Sequence, residues 1–233
     1  MLSIIIPTLN EEEYLPRLLK SIKKQGFLDQ EIIVADAGSK DSTVQIAKTY
    51  GCQVVSGGLP AKGRNNGAMA ARGEILFFLD ADTILSEGFL KKSMEEFGRR
   101  RLDIASFCLY LVPHNTMGNL VLDAFYNGMI IFWEKILPHS AVGILVKKKL
   151  FEKLVGYDET ITLAEDHDLA RRAVKYGKFG IIRSTNILMS DRRFKKDGWW
   201  TTGVKYFLCE MHMIFIGPVR SNIFKYKFNH YKK

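Results

Sequence analysis

Apolar and polar positions follow two rhythms along this chain, one suited to strands and one to helices. Residues 2–6 are a short apolar run stopped by Pro7, which reads as a strand. Asn10 then offers an N-cap with Glu13 three residues on, as in a capping box, and Leu15, Leu18, Leu19 and Ile22 recur at helical spacing. Residues 31–35 form a second strand. Asp41-Ser42-Thr43 opens a helix carrying Val44, Ile46 and Ala47, which ends near Gly51. Residues 53–56 read as a third strand, residues 63–72 as a helix of small residues, and Ser86 as the cap of a helix through Phe97. Strands alternating with helices predict a parallel sheet covered on both faces.

The second half is less regular. Strands are expected at 104–112, 143–146 and 179–183, and helices at 118–137, 164–176 and 198–216. No repeat or low-complexity linker interrupts the pattern. One α/β domain with a C-terminal extension fits better than two independent domains.

The most informative segment is Ile75-Leu76-Phe77-Phe78-Leu79-Asp80-Ala81-Asp82. Five apolar residues suit a strand buried on both faces. They run into two carboxylates at the strand's carboxyl end, where open α/β sheets place their ligands. Oxygen-only ligands there suit a hard divalent cation, Mg²⁺ or Mn²⁺, that bridges substrate phosphates. The plainer reading is a strand end finished by two solvated acids.

Charge changes the picture at one end only. The 233 residues carry 34 Lys+Arg against 25 Asp+Glu, a net charge of +9. Ten of the basic residues lie from Arg192 to Lys233, opposed only by Asp197 and Glu210. This aromatic, basic tail can face an anionic membrane, nucleic acid or water. No nucleic-acid module accompanies it, so nucleic acid is not expected as a partner. Cys52, Cys108 and Cys209 are widely spaced and odd in number, which argues against a disulfide framework and suits a reducing, cytoplasmic setting. No signal peptide and no spanning helix are expected, because Pro113, His114 and Asn115 break the longest uncharged stretch.

Four segments, taken in order, resemble the family 2 glycosyltransferases of the GT-A fold. They are Ser3-Ile4-Ile5-Ile6-Pro7-Thr8-Leu9-Asn10-Glu11-Glu12, Val34-Ala35-Asp36-Ala37-Gly38-Ser39-Lys40-Asp41-Ser42-Thr43, Gly63-Arg64-Asn65-Asn66-Gly67-Ala68 with the Asp80-Ala81-Asp82 strand, and Gly156-Tyr157-Asp158-Glu159 followed by Glu165-Asp166-His167-Asp168-Leu169. Ser190-Asp191-Arg192-Arg193-Phe194 also looks like a basic motif in a branch of the family. The resemblance covers about residues 1–195, as a transferase domain with a nucleotide-sugar half (1–100) and an acceptor half (101–195). Residues 196–233 form the basic aromatic extension.

The resemblance implies a nucleotide-diphospho-sugar transferase (GT-A) fold, with a mostly parallel central sheet flanked by helices. It implies a metal-dependent, inverting hexosyl transfer from a UDP- or GDP-type sugar to a hydroxyl. The apolar stretches beside the basic tail suit an interfacial helix, and so a lipid-linked acceptor at the cytoplasmic membrane face as one candidate. Pro7, Thr8, Glu11, Asp36, Lys62, Arg64, Asp80, Ala81 and Asp82 would bind the nucleotide-sugar, with Asp82 and Asp80 at the cation. Asp166, with Glu165 beside it, would be the base, and Arg192 and Arg193 would meet a phosphate or the acceptor. The chain departs from the family at Asp36-Ala37, where two adjacent acids are common. A sugar-nucleotide-binding or membrane-docking protein without catalysis is the alternative. Each motif also has a structural reading: Asn10 as a helix cap, Asp36 as a turn residue, Glu165 to Asp168 as acids at a helix N-terminus, and the aromatic stripes Leu120–Trp133 and Trp199–Phe215 as core.

Overall fold

The computed structural model describes residues 1–112, 119, 122–140 and 142–224. Eight strands form one sheet: β1 (Leu2–Thr8), β2 (Gln30–Asp36), β3 (Gln53–Ser56), β4 (Ile75–Phe78), β5 (Thr83–Leu85), β6 (Ile104–Val112), β7 (Ile144–Lys147) and β8 (Phe179–Ser190). Their spatial order is β3-β2-β1-β4-β7-β6-β8-β5. The first four pair in parallel, as the alternating pattern predicts. β7 enters antiparallel to both β4 and β6, β6 and β8 are parallel, and β5 runs antiparallel to β8.

The helices are α1 (Leu15–Lys23), α2 (Thr43–Thr49), α3 (Pro60–Ala70), α4 (Phe89–Arg99), α5 (Gly128–Phe132), α6 (Lys148–Lys153), α7 (Glu165–Ala173), α8 (Arg192–Asp197) and α9 (Trp199–Phe215). Two apolar layers fill the sheet's faces. One gathers Ile4, Ile6, Leu18, Phe77, Phe89 and Phe107, and the other Ile5, Ile33, Phe78, Phe151 and Tyr157. β4 alternates between them because successive side chains of a strand point to opposite faces.

Several expectations need correction. Asn10 does not cap α1: it sits at φ 53, its side chain accepts from the Lys40 N–H, and α1 begins at Leu15 with a proline in its first turn. Glu13 pairs with Arg17 instead of closing a capping box. α3 begins at Pro60, so Gly63 lies inside the helix. A Cβ on Gly63 would meet Pro7 at 3.4 Å, and one on Gly67 would meet Ile5 at 2.4 Å. Gly67 therefore lets α3 lie close on β1, whereas a Cβ on Gly63 would make only an ordinary contact. β8 runs seven residues beyond Arg183, through a register shift opposite Phe107 and Cys108. The polar run Arg183-Ser184-Thr185-Asn186 at that irregularity hid the continuation. The helix expected at 118–137 lies partly outside the described residues. Its described part is a π-helical turn (Leu122–Asn127) leading into α5, and Asn119 and Asn127 satisfy the β6 backbone at Leu111 and Leu109.

Candidate active site

The carboxyl ends of β1, β2 and β4 form one rim, and the motifs meet there. Thr8, Asp36 and Asp80 end or follow those three strands. Asp82 directly precedes β5, and its carbonyl accepts from the Ser190 N–H at 3.0 Å. The antiparallel β5–β8 pairing thus delivers Arg192, two residues past the end of β8, to Asp82.

Two arginines organise the acids. Arg64, on α3, is 4% exposed. Its guanidinium donates to Asp80 Oδ1 at 2.8 Å and Glu165 Oε1 at 2.5 Å, and lies 3.5 Å from Asp166 Oδ2. Its face stands over the Tyr157 ring. Arg192 donates to both Glu11 oxygens, at 2.8 and 2.9 Å, its Nε lies 3.0 Å from Asp82 Oδ2, and it stacks over Tyr14. Arg193 donates to the Tyr206 hydroxyl.

Glu165 and Asp166 open α7, where the helix dipole favours acids. The turn before them is held in an unusual way. Ala164 adopts φ 64, a costly conformation for a residue with a Cβ. Leu163 bridges to Val219, and the Thr162 N–H donates to the Val219 carbonyl at 2.8 Å. The segment after α9 therefore fixes the start of the acid helix. The Tyr157 hydroxyl donates to Asp166 Oδ1 at 2.9 Å. Burial, reinforced by Glu165 and Asp80 and opposed by Arg64 and Tyr157, pushes the Asp166 carboxyl up to about 7. Burial also raises Asp82 and Glu11, against the attraction of Arg192. Perturbed acids clustered in a cleft are the electrostatic mark of a functional site.

Asp36 is committed to its own turn. It accepts from the Thr8 and Ser39 hydroxyls and from the Gly38 and Ser39 N–H groups. Beside it opens a cavity of about 530 Å³ lined by Asp36, Gly38, Val44, Val54, Val55 and Gly57. Pro7 lies against Gly63 on α3, Lys62 is exposed with its stem along Gly58, and Ala81 is buried between the two aspartates. The donor chemistry around Asp80 and Asp82 fits a hard divalent cation, since both offer only oxygen. The guanidinium against Asp82 places positive charge where such an ion would be needed.

The glycosyl transferase family 2 model matches residues 3–154. The chain belongs to that family. It is 31% identical over 185 residues to the uncharacterized glycosyltransferase EpsJ of Bacillus subtilis, covering 71% of this chain and 54% of that one. It is 35% identical over 118 residues to the GalNAc(5)-diNAcBac-PP-undecaprenol beta-1,3-glucosyltransferase of Campylobacter jejuni, covering 46% of this chain and 38% of the relative. The chain thus spans about half or less of these relatives. Among solved structures, the mannosyltransferase PcManGT from Pyrobaculum calidifontis, in complex with GDP-Man and Mn²⁺, superposes with a TM-score of 0.72 at 20% identity, covering 92% of this chain and 64% of that one. That likeness establishes the GT-A-like fold.

Sequence reasoning missed two sets of residues. Tyr157, read only as part of the motif before α7, is the hydrogen-bond donor to Asp166. His139, which is buried, and His167 and Glu210, which are partly buried, form a group beyond the acids. They lie 28 and 43 residues apart, so no spacing motif could have joined them.

Proposed function

We propose that this chain moves a sugar, a hexose in the first instance, from a nucleoside-diphosphate-sugar to an acceptor hydroxyl with inversion at the anomeric carbon. One observation carries the reading: Asp80, Glu165 and Asp166, remote in sequence, meet on the buried Arg64 guanidinium at the ligand edge of the sheet. Asp166 is the base. It takes the acceptor's hydroxyl proton as the new glycosidic bond forms and the bond to the nucleoside diphosphate breaks, and a carboxyl held near neutrality suits that task. Tyr157 orients it and Glu165 keeps its affinity for the proton high. The cavity beside Asp36 receives the base of a UDP- or GDP-type donor, with a donated hydrogen bond from base or ribose replacing that of the Ser39 hydroxyl. Thr8 and Glu11 line the ribose side, and Arg64, Arg192 and Arg193, with Lys62 at the rim, offer positive charge to phosphate. Asp82, with Asp80, would hold a divalent cation, Mn²⁺ or Mg²⁺, which would supply further positive charge for a diphosphate leaving group.

A lipid-linked acceptor at a membrane surface is the finer reading. No helix among the described residues is long and apolar enough to cross a membrane. α9 buries only Thr202, Cys209 and Met213, and leaves Trp200, Phe207, Phe215 and the following Ile216 more than half exposed. Phe132 and Ile136 are exposed at and just beyond the end of α5. Exposed aromatic residues on α9, next to the basic α8, suit the interface of an anionic membrane. The Campylobacter relative is named for an acceptor that is itself linked through a diphosphate to a polyprenol.

A thermal-shift screen of UDP-, GDP- and dTDP-sugars with Mn²⁺ tests donor binding, because a ligand of the folded state must stabilise it. One donor class should raise Tm, EDTA should reverse the gain, and Asp82→Ala should abolish it. Full transfer by both Asp82→Ala and Asp166→Ala would overturn the site assignment, and donor binding by the wild type with no transfer to any acceptor would leave the non-catalytic alternative. Unchanged binding of Trp200→Ser/Phe215→Ser to anionic vesicles would remove the membrane reading.

A further inference from the structure

His139, between α5 and β7, His167, on α7, and Glu210, on α9, bring three largely buried side chains to one point. Each side chain is at most 13% exposed. His139 Nδ1 lies 3.7 Å and His167 Nδ1 3.2 Å from the same oxygen, Glu210 Oε2. The imidazole centroids are 3.9 Å apart, and one ligand atom from each residue can be chosen so that all lie within 4.8 Å of one another. A tetrahedral zinc ion with ligands at about 2.0–2.1 Å sets neighbouring ligand atoms about 3.3–3.4 Å apart. The two nitrogen–oxygen separations bracket that spacing.

A second observation points to an ion. His167 Nδ1 and Glu210 Oε2 are both buried and face one another at 3.2 Å, paired by charge but off the line of a good hydrogen bond. A cation bound to both would satisfy the two atoms together. The other Glu210 oxygen accepts from Arg171 Nη2 at 2.5 Å. That bond fixes the carboxylate and leaves Oε2 turned to the imidazoles, as hydrogen bonds do for ligating carboxylates elsewhere. Tyr126 stands edge-on to His139 at 5.5 Å and walls one side.

We propose that His139, His167 and Glu210 bind a divalent transition-metal ion, zinc by preference, with the fourth position left to water. Two imidazoles and one carboxylate favour such an ion over Mg²⁺ or Ca²⁺, which take oxygen. The site is distinct from Asp80 and Asp82: Glu165 and Asp166 turn to Arg64, whereas His167 turns to α9. Its ion ties α9 to α7, the helix whose first turn carries both acids. The role is one of positioning and does not depend on which sugar the chain transfers.

The full chain, stripped of metal and dialysed, is titrated with Co²⁺ alone and then with Zn²⁺. One Co²⁺ per chain should give the intense visible absorption of a four- or five-coordinate ion, and Zn²⁺ should displace it and raise Tm. Asp82→Asn should keep both signals, while Glu210→Gln and His139→Gln should lose them. Should those variants fail to fold, anomalous diffraction at the zinc edge from wild-type crystals locates the ion directly. Weak octahedral absorption, signals that survive in Glu210→Gln, or an anomalous peak at Asp82 with none at His167 would each overturn the proposal.

Discussion

Replacing Asp166 by asparagine should stabilise the protein more at pH 8 than at pH 5. Burial, with Glu165 and Asp80 nearby, lifts this carboxyl from 3.8 to about 7 in the folded chain. Between those values the folded state holds a proton that the unfolded chain releases, so stability falls as pH rises through the window and levels off above about pH 7. Asparagine cannot titrate. The stability difference between variant and wild type should therefore widen from pH 5 to pH 8 by about two pKa units, or about 3 kcal/mol. Asparagine's oxygen still accepts from Tyr157, and Arg64 keeps Asp80 and Glu165, so packing changes little. Urea unfolding of both proteins at the two pH values measures a double difference from which all common titrations cancel. The ¹³C shift of the Asp166 carboxyl gives its midpoint without any substrate. A gap that stays constant with pH, or a carboxyl titrating near 4, refutes the claim that burial sets this group.

Tyr157→Phe removes a hydrogen bond that favours the charged carboxylate, so the Asp166 midpoint should move above 7 in the same ¹³C titration. Glu165→Gln removes a like charge and should lower it by about one to two units, taking the acids as roughly 6 Å apart at an effective dielectric of about 20. Arg192→Ala strands Glu11 and Asp82 and should cost on the order of 2–3 kcal/mol at pH 7, a deficit that shrinks in acid as both carboxyls protonate. Gly67→Ala drives a Cβ to 2.4 Å from Ile5 and should cost about 1–3 kcal/mol in urea, with no pH dependence.

The first hundred residues are the most legible part of the chain because their contacts are local in rhythm. β1 to β3 each repeat one unit, a short strand followed by a helix, and the parallel pairing of β1 to β4 follows from that repetition. Where the reading failed, polar atoms had a distant partner. Asn10 carries every local mark of a helix cap, yet its side chain holds the Lys40 backbone 30 residues away. The polar run from Arg183 looks like a strand end, yet Glu96 accepts from the Arg183 and Ser184 N–H groups and the strand resumes.

The same distinction divides the candidate site. Its acids were legible because each ends a strand or opens a helix. Their partners were not, because a guanidinium reaches them from another element. Arg64 joins residues 16 and 101 positions away, and Arg192 joins Glu11 across 181. This wiring also says why the C-terminal segment belongs to the site. Val219 pins the turn before Glu165, and Glu210 meets Arg171 on the same helix. A basic, aromatic tail read only by composition suggests a surface device. Its described part also contacts the helix that carries the acids, so a substitution in α9 should reach Asp166 through α7 with no contact to the sugar.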